Sequence, residues 1–424
     1  MKYLVLGGGV SGIAAARLLR RHGQEVALFD KRAEALVDLR DDAYEIHAGD
    51  WHAGYLRGIT AVVASPGFGE HSTPIVDGAA AGVEVMSELE LGWRYSASPI
   101  IAVTGTNGKT TTTQLITDMA AAGGLSVVAA GNIGTALSDV AEQDHDLIVA
   151  EASSFQLKFI STFAPKVAVV LNVAPDHLDW HGSFEAYAAA KARITENMAA
   201  EDALVFDADD AGAVAIAGSA AVRTLGVSGK RREDAGGVED GTLWVGSEAI
   251  EVGPFDAAFA LDIAAAAVAV RQVGVGTEAM AKAVAEFEPA PHRRTIVATA
   301  GGVTWVDDSK ATNPHAAMAS AASFDSVILI AGGRNKGLDL SGLAAVPSVR
   351  HIFAIGEAAP ELLAAAPHKA TAAASIEAAV IAAGDMAQPG DAVLLAPGCA
   401  SFDQFESYAA RGDAFTAAVK ARSN

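Results

Sequence analysis

Short apolar runs alternate along the chain with alanine-rich stretches of helical character. The runs are Tyr3–Leu6, Val26–Phe29, Ala61–Ala64, Ile100–Val103, Leu147–Ala150, Val167–Leu171, Val327–Ile330 and Ala392–Leu395. Each is continuously apolar rather than alternating, which predicts parallel strands covered by helices on both faces. The expected fold class is therefore α/β. The pattern restarts after two soft joints, Tyr-Ser-Ala-Ser-Pro at 95–99 and Glu-Pro-Ala-Pro at 288–291. These place domains at 1–96, 97–288 and 289–424. Gly229–Gly241, charged and glycine-rich, reads as a surface loop inside the middle domain. No repeat of solenoid length is present.

The chain has 424 residues, of which 51% are hydrophobic and 19% charged, a composition that excludes wholesale disorder and leaves room for about three domains. With 30 Lys and Arg against 51 Asp and Glu, the net charge is −21. That balance disfavours binding to nucleic acid or to an anionic membrane surface. A single cysteine, Cys399, allows no intramolecular disulfide and no Cys-rich metal site, as expected of a cytoplasmic protein. The first 19 residues place Lys2 before an apolar run, but the run contains three consecutive glycines and no convincing cleavage site. They are read as folded structure rather than a signal peptide. No stretch approaches the roughly 18–20 apolar residues of a membrane span; Ile263–Val270 is read as a piece of helix.

Four groups of residues carry candidate chemistry. Gly7-Gly8-Gly9-Val10-Ser11-Gly12 follows a predicted strand and opens a helix, and Asp30 ends the next strand. Glycines let a phosphate approach the backbone and an acid at that distance can hold a ribose hydroxyl. A dinucleotide, another nucleotide or phosphate ligand, or a plain tight turn would each fit. The second group, Gly105-Thr106-Asn107-Gly108-Lys109-Thr110, lies between a strand and a helix starting near Thr111. It reads as a phosphate loop one residue shorter than the usual form: backbone amides cradle anionic oxygens, Lys109 neutralises the outer phosphates and the Thr110 hydroxyl can ligate Mg²⁺. ATP is the expected nucleotide.

The third group comprises Glu151-Ala-Ser-Ser-Phe-Gln156 and Asn172-Val-Ala-Pro-Asp-His177, each after an apolar strand. Ligands of open α/β sheets bind beyond that edge, so Glu151 and His177 are metal candidates; a capping carboxylate and a loop histidine are the plainer alternatives. Asp179 and His181 are read as surface residues. The fourth group gathers Val306–Pro314, Gly332–Gly337 and Ala396–Phe405, three polar strand ends suited to a small dicarboxylate. Cys399 lies among them, but no histidine is placed to activate it as a nucleophile.

Taken together these segments resemble the Mur ligases of peptidoglycan synthesis, and within them the D-glutamate-adding branch. Further matching segments are Gly131-Asn-Ile-Gly134, Ala190-Lys-x-Arg193, His292-Arg293, Asp308-Ser-Lys-Ala-Thr-Asn313 and Ser401-Phe-Asp-Gln-Phe405. Asp308-Ser-Lys-Ala-Thr-Asn separates this branch from siblings with an Asp-Tyr-Ala-His type sequence. The resemblance implies three domains: an N-terminal Rossmann-like domain for the UDP end of UDP-N-acetylmuramoyl-L-alanine, a central ATPase, and a C-terminal Rossmann-like domain for D-glutamate. It implies amide formation through an acyl phosphate, with ATP and Mg²⁺, by a cytoplasmic monomer supporting cell-wall biogenesis, cell shape and division.

Carried onto matching positions, the resemblance makes Val10, Ser11, Asp30, Arg32 and Gly67 UDP contacts. Gly105, Thr106, Asn107, Gly108, Lys109, Thr110 and Thr111 become the ATP loop, with Arg293 and Asp308 further ATP contacts. Asn132, Ser153 and His177 fall near the reacting carboxylate of the UDP substrate. Metal contacts are Thr110, Glu151, His177 and a carbamylated Lys191. Lys310, Thr312, Lys336, Ser401, Phe402 and Tyr408 become the D-glutamate end. Two departures stand out: Ala258, Phe259 and Asp262 replace a His-Asn-x-x-Asn pattern on the adenine side, and Lys31 replaces a hydroxyl residue beside Asp30. Competing readings are an NAD-dependent oxidoreductase built on the first glycine motif and a nucleotide-sensing protein without turnover.

Overall fold

The computed structural model describes residues 1–36, 44–230 and 235–422. It holds three sheets, each placing helices against both faces. The first contains β1 (Lys2–Leu6), β2 (Glu25–Asp30), β3 (Glu45–Ala48), β4 (Ala61–Ala64) and β5 (Glu84–Ser87), all parallel, in the order β3-β2-β1-β4-β5. Leu4, Val5 and Leu6 are fully buried, each side chain contributing on the order of 1.5–3 kcal/mol. All eight apolar runs fall in strands, save that Leu171 lies one residue past its strand, Val167–Val170.

The second sheet contains β6 (Ile100–Thr104), β7 (Val127–Gly131), β8 (Leu147–Glu151), β9 (Val167–Val170), β10 (Ala203–Asp207), β11 (Arg223–Ser228), β12 (Gly236–Glu239), β13 (Thr242–Val245) and β14 (Glu248–Glu251). Their order is β14-β13-β12-β11-β10-β9-β6-β8-β7, and only β13 and β14 run antiparallel to their neighbours. The expected surface loop at 229–241 is corrected here, because β12 lies inside it; 231–234 fall outside the described residues. The glycines serve close approach: a Cβ on Gly236 would meet the Trp244 carbonyl and Val268, and one on Gly237 would strike the Lys230 carbonyl.

The third sheet contains β15 (Thr295–Ala300), β16 (Val303–Asp307), β17 (Val327–Gly332), β18 (Val349–Ile355), β19 (Ala370–Ala372) and β20 (Ala392–Leu395), in the order β15-β16-β20-β17-β18-β19. Only β15 is antiparallel. By contact density the chain forms two compact units. The first contains Met1–Val173 and Trp180–Phe287; the second contains Ala174–Asp179 and Glu288–Asn424. Among the described residues no helix is long and apolar enough to cross a membrane.

Within the first unit the N-terminal and central sheets are joined by buried carboxylates. Glu90 accepts hydrogen bonds from the backbone of Ser161, Thr162 and Phe163 and from Arg94. Glu88, fully buried, accepts one from the Ser138 amide at 2.6 Å, while its other oxygen has no hydrogen-bond partner among the described residues. Burial pushes its pKa up to about 7, despite the Ser138 bonds. The folded protein therefore holds a proton that the unfolded chain releases above about pH 4.5, so stability falls as pH rises from there through 7. Glu88→Gln is expected to raise the unfolding temperature at pH 8.5 and leave it unchanged at pH 5, as differential scanning calorimetry would read. Equal effects at both pH values would contradict this.

Candidate active site

In the first sheet the strand order reverses between β1 and β4, where open α/β sheets leave a crevice at the carboxyl ends of their strands. The loop after β1 bends through Gly7 at φ +104°, and a Cβ on Gly12 would collide with the Gly7 carbonyl. The helix Val10–Arg21 starts there with Gly9 as an extended cap, leaving its first amides open to an anion. Asp30, at the end of β2, accepts from the amides of Gly8 and Arg32, both at 2.9 Å. Ser11 and Val10 open the helix, Val10 being exposed, and Gly67 is exposed on the loop after β4. That loop also brings Ser65, whose buried hydroxyl lies beside Gly7 and has no hydrogen-bond partner among the described residues. Sequence reasoning missed it, although a serine directly after β4 was the available signal.

In the central sheet β6 lies between β8 and β9, so the loop after β6 meets the ends of both. Gly108, at φ +83°, turns the chain into the helix Lys109–Ala122. The Thr106 amide donates to the Asn172 carbonyl and the Asn107 amide to Asn172 Oδ1, at 2.9 and 2.8 Å. Lys109 Nζ folds along the loop, donating to the carbonyls of Gly105 and Thr106. Thr110 Oγ1 donates to Glu151 Oε2 and Asn132 Nδ2 to Glu151 Oε1, both at 2.8 Å. Thr111 follows in the first helical turn.

Lys191, only 1% exposed, comes from the helix Phe184–Ala192 and donates to the Gly105 carbonyl at 2.8 Å, with its ammonium 4.6 Å from the Tyr187 ring. Tyr187 in turn hydrogen-bonds Thr106 at 3.0 Å. The phosphate loop, Glu151, Asn132 and Lys191 thus form one hydrogen-bonded group. Ser153 stands beside it as the N-cap of the helix Ser154–Lys158, in a reciprocal capping box with Gln156. The surface reading of His181 is corrected: it is 2% exposed, bonded to Ser154 Oγ at 3.0 Å and packed among Phe155, Trp180 and Tyr187. Those rings bury it from positions the local sequence did not reveal. Asp179 is exposed.

Asp262 is an internal tie. Its Oδ1 accepts from Thr112 Oγ1 at 3.1 Å and lies where a Cβ on Gly108 would point. The helix Ala257–Arg271 that carries it is capped by Asp256, which accepts from the Ala258 and Phe259 amides.

In the second unit the loops after β16, β17 and β20 converge, since those strands are adjacent in the sheet. With His177 and Asp179 they line a cavity of about 820 Å³ that includes Lys310, Thr312, Lys336, Ser401, Phe402 and Tyr408. All six residues expected at the amino-acid end are therefore brought together. Lys310 Nζ sits 4.1 Å from the Tyr408 ring, and Phe402 is 65% exposed. Arg334 lines the cavity too and pairs with Glu357 at 3.1 Å.

Lys336 Nζ donates to Asp176 Oδ1 at 2.6 Å, and Asn313 Nδ2 donates to Asp176 Oδ2 at 3.1 Å. Burial works to raise the Asp176 carboxyl, but Lys336 and His177 outweigh it and hold the group below the usual range. The sequence reading did not single out Asp176, although it lies in the quoted Asn-x-x-x-Asp-His segment. His177 follows at φ +53°, its amide turned onto Asp176 Oδ1 at 2.8 Å. Burial pushes the Asp308 carboxyl up against the opposing pull of Arg294 and Arg293. Burial also pushes the Cys399 thiol up to about 12, which leaves it inert.

Three family profiles match the chain: the Mur ligase MurD-like N-terminal domain over residues 1–87, the Mur ligase middle domain over 103–245 and the Mur ligase glutamate ligase domain over 292–399. The chain belongs to the Mur ligase family. A relative from Frankia casuarinae is 44% identical over 99% of this chain and 94% of its own length, and one from Mycobacterium tuberculosis is 38% identical over 99% and 95%. Both are named UDP-N-acetylmuramoylalanine–D-glutamate ligase. Among solved structures, the MurF ligase from Thermotoga maritima in complex with ADP superposes with a TM-score of 0.61 at 19% identity, covering 87% of this chain and 91% of its own; at that identity the likeness concerns the fold.

Proposed function

We propose that the chain joins D-glutamate to UDP-N-acetylmuramoyl-L-alanine with hydrolysis of ATP to ADP and phosphate, as a monomer in the cytoplasmic stage of peptidoglycan precursor synthesis. The observation that carries this reading is the hydrogen-bonded group of Lys109, Thr110, Asn132 and Glu151 around one phosphate loop, in a chain alike end to end to D-glutamate ligases. A carboxylate is a poor electrophile, so the alanyl carboxylate first takes the γ-phosphoryl group to give an acyl phosphate. The D-glutamate amine then attacks the acyl carbon and phosphate leaves. The loop amides and Lys109 hold the transferring phosphoryl group and stabilise its charge. Val10, Ser11, Asp30, Arg32 and Gly67 hold the UDP end, and Asn132 and Ser153 receive the reacting carboxylate.

The donors at the loop also suit Mg²⁺, a hard cation that takes oxygen ligands and keeps several waters. Thr110 Oγ1 and the Glu151 carboxylate present such oxygens 2.8 Å apart; among the described residues no cluster of three or more His, Cys, Asp or Glu is assembled for a metal. When bound, the ion supplies charge neutralisation on the phosphate oxygens. Lys191, an ammonium donating to Gly105, would add an oxygen ligand for a second ion only after carbamylation.

The test is phosphate release from ATP and UDP-N-acetylmuramoyl-L-alanine with D-glutamate present, absent, or replaced by L-glutamate, L-lysine or diaminopimelate. Release requiring D-glutamate is expected; release with another amino acid would move the specificity, and none with any would remove the ligase reading. Lys336 is placed to meet a substrate carboxylate while Asp176 holds it. Lys336→Met is expected to raise the KM for D-glutamate by roughly 10- to 100-fold, the effect of losing one charged hydrogen bond, with the KM for ATP unchanged. Steady-state kinetics would show both.

A further inference from the structure

Among the described residues Arg411 is the largest fully buried side chain, at 0% exposure. It sits in the first turn of the helix Tyr408–Arg422. Its Nε donates to Ser309 Oγ at 3.0 Å, Nη1 to the Cys399 carbonyl at 3.1 Å and Nη2 to the Ser309 carbonyl at 2.9 Å. Ser309 passes the link on, its hydroxyl donating to the Tyr408 carbonyl at 2.7 Å. A Cβ on Gly333 would come within 3.2 Å of Nη1, and the next residue, Arg334, exchanges two backbone hydrogen bonds with Ala400. One guanidinium is therefore bonded to two of the loops that line the cavity, the one leading to Lys310 and Thr312 and the one leading to Ala400 and Ser401, and leaves no room for a side chain at Gly333, in the loop leading to Arg334 and Lys336.

Among the described residues no carboxylate forms an ion pair with Arg411. Buried charges are ordinarily paired, because removing an ion from water costs several kcal/mol. Here backbone carbonyls and one hydroxyl solvate the cation instead. Burial lowers its pKa only to about 10, against the opposing pull of Cys399, Asp403 and Asp307, so the charge persists at neutral pH.

We infer that Arg411 is a positioning residue for amino-acid recognition: it fixes the spacing of the loops that present Lys310, Thr312 and Ser401 to the cavity. The inference rests on the D-glutamate reading. None of the expected substrate contacts includes this residue, since an arginine four residues into a helix carries no sign of burial in the sequence.

The experiment compares wild type with Arg411→Lys, Arg411→Gln and Ser309→Ala, measuring KM for D-glutamate, ATP and UDP-N-acetylmuramoyl-L-alanine, with circular dichroism as the check on folding. Arg411→Lys keeps the charge and loses the fork; the KM for D-glutamate is expected to rise about tenfold. Arg411→Gln loses both and should raise it about 100-fold, consistent with hydrogen bonds to a charged group. Ser309→Ala keeps the cation and cuts two links, giving about a tenfold rise. The other two KM values should stay within about twofold of wild type. A common rise in all three KM values would reduce Arg411 to fold maintenance and overturn the inference, as would an unchanged KM for D-glutamate. If Arg411→Gln does not fold, Arg411→Lys and Ser309→Ala decide by the same criteria. Wild type that turns over a different amino acid would contradict the D-glutamate reading instead, and the same split, read on that amino acid, would still judge Arg411.

Discussion

Lys109→Ala is expected to lower turnover by on the order of 10³-fold or more, the scale of losing a principal charge stabiliser in phosphoryl transfer. The side chain begins the helix after the phosphate loop and lies along the carbonyls of Gly105 and Thr106, where its ammonium can follow a phosphoryl group passing over the loop. The loss should appear in kcat and in kcat/KM alike, because the interaction strengthens as the phosphoryl group leaves ATP. The loop itself should survive the change, since its shape depends on Gly108 and on the Asn172 contacts to Thr106 and Asn107. Rapid-quench measurement of ADP formation would check this. Near-full turnover would show that the loop does not carry the chemistry.

Glu151→Gln should have the next largest effect, on the order of 10²-fold in kcat. The carboxylate is 2% exposed and accepts from Thr110 on one oxygen and Asn132 on the other. The amide keeps the shape but loses the negative charge and one acceptor, so it can no longer satisfy both donors. It also removes the anion that suits Mg²⁺ at the loop, so the Mg²⁺ concentration giving half-maximal rate should rise. Titrating the variant with Mg²⁺ separates the two consequences: a lower rate with an unchanged Mg²⁺ dependence would make Glu151 a structural acceptor only.

Much of this arrangement was legible in the sequence because buried parallel strands carry an unmistakable local signature. Val5, Ile101, Val149 and Leu394 are each fully buried, and a strand covered on both faces must be apolar at successive positions. The edge strands β3 and β14 lacked that signature: β3, Glu-Ile-His-Ala, is half exposed, and β14 carries Glu248 and Glu251 on opposite faces. The phosphate loop was legible because its glycines, lysine and threonine are consecutive. The cavity in the second unit was legible as three polar strand ends.

Side chains brought together from distant positions were not legible. Asp176 acquires its role from Lys336, 160 residues away; His181 is buried by rings from both sides of its own segment; and Arg411 reads as one more surface cation until the fold closes on it. Asp262 is a similar case. Its departure from the family pattern concerned the adenine side, yet its visible partner is Thr112, in the helix that follows the phosphate loop.

The central claim is that the chain activates the carboxylate of UDP-N-acetylmuramoyl-L-alanine with the γ-phosphoryl group of ATP before D-glutamate attacks. The most direct measurement supplies that substrate with heavy oxygen in its carboxylate and follows the label by mass spectrometry during turnover with D-glutamate. One labelled oxygen in the released phosphate, together with a product heavier by one glutamyl residue, is the predicted result. Unlabelled phosphate, with ATP consumed whether or not D-glutamate is present, would contradict the account.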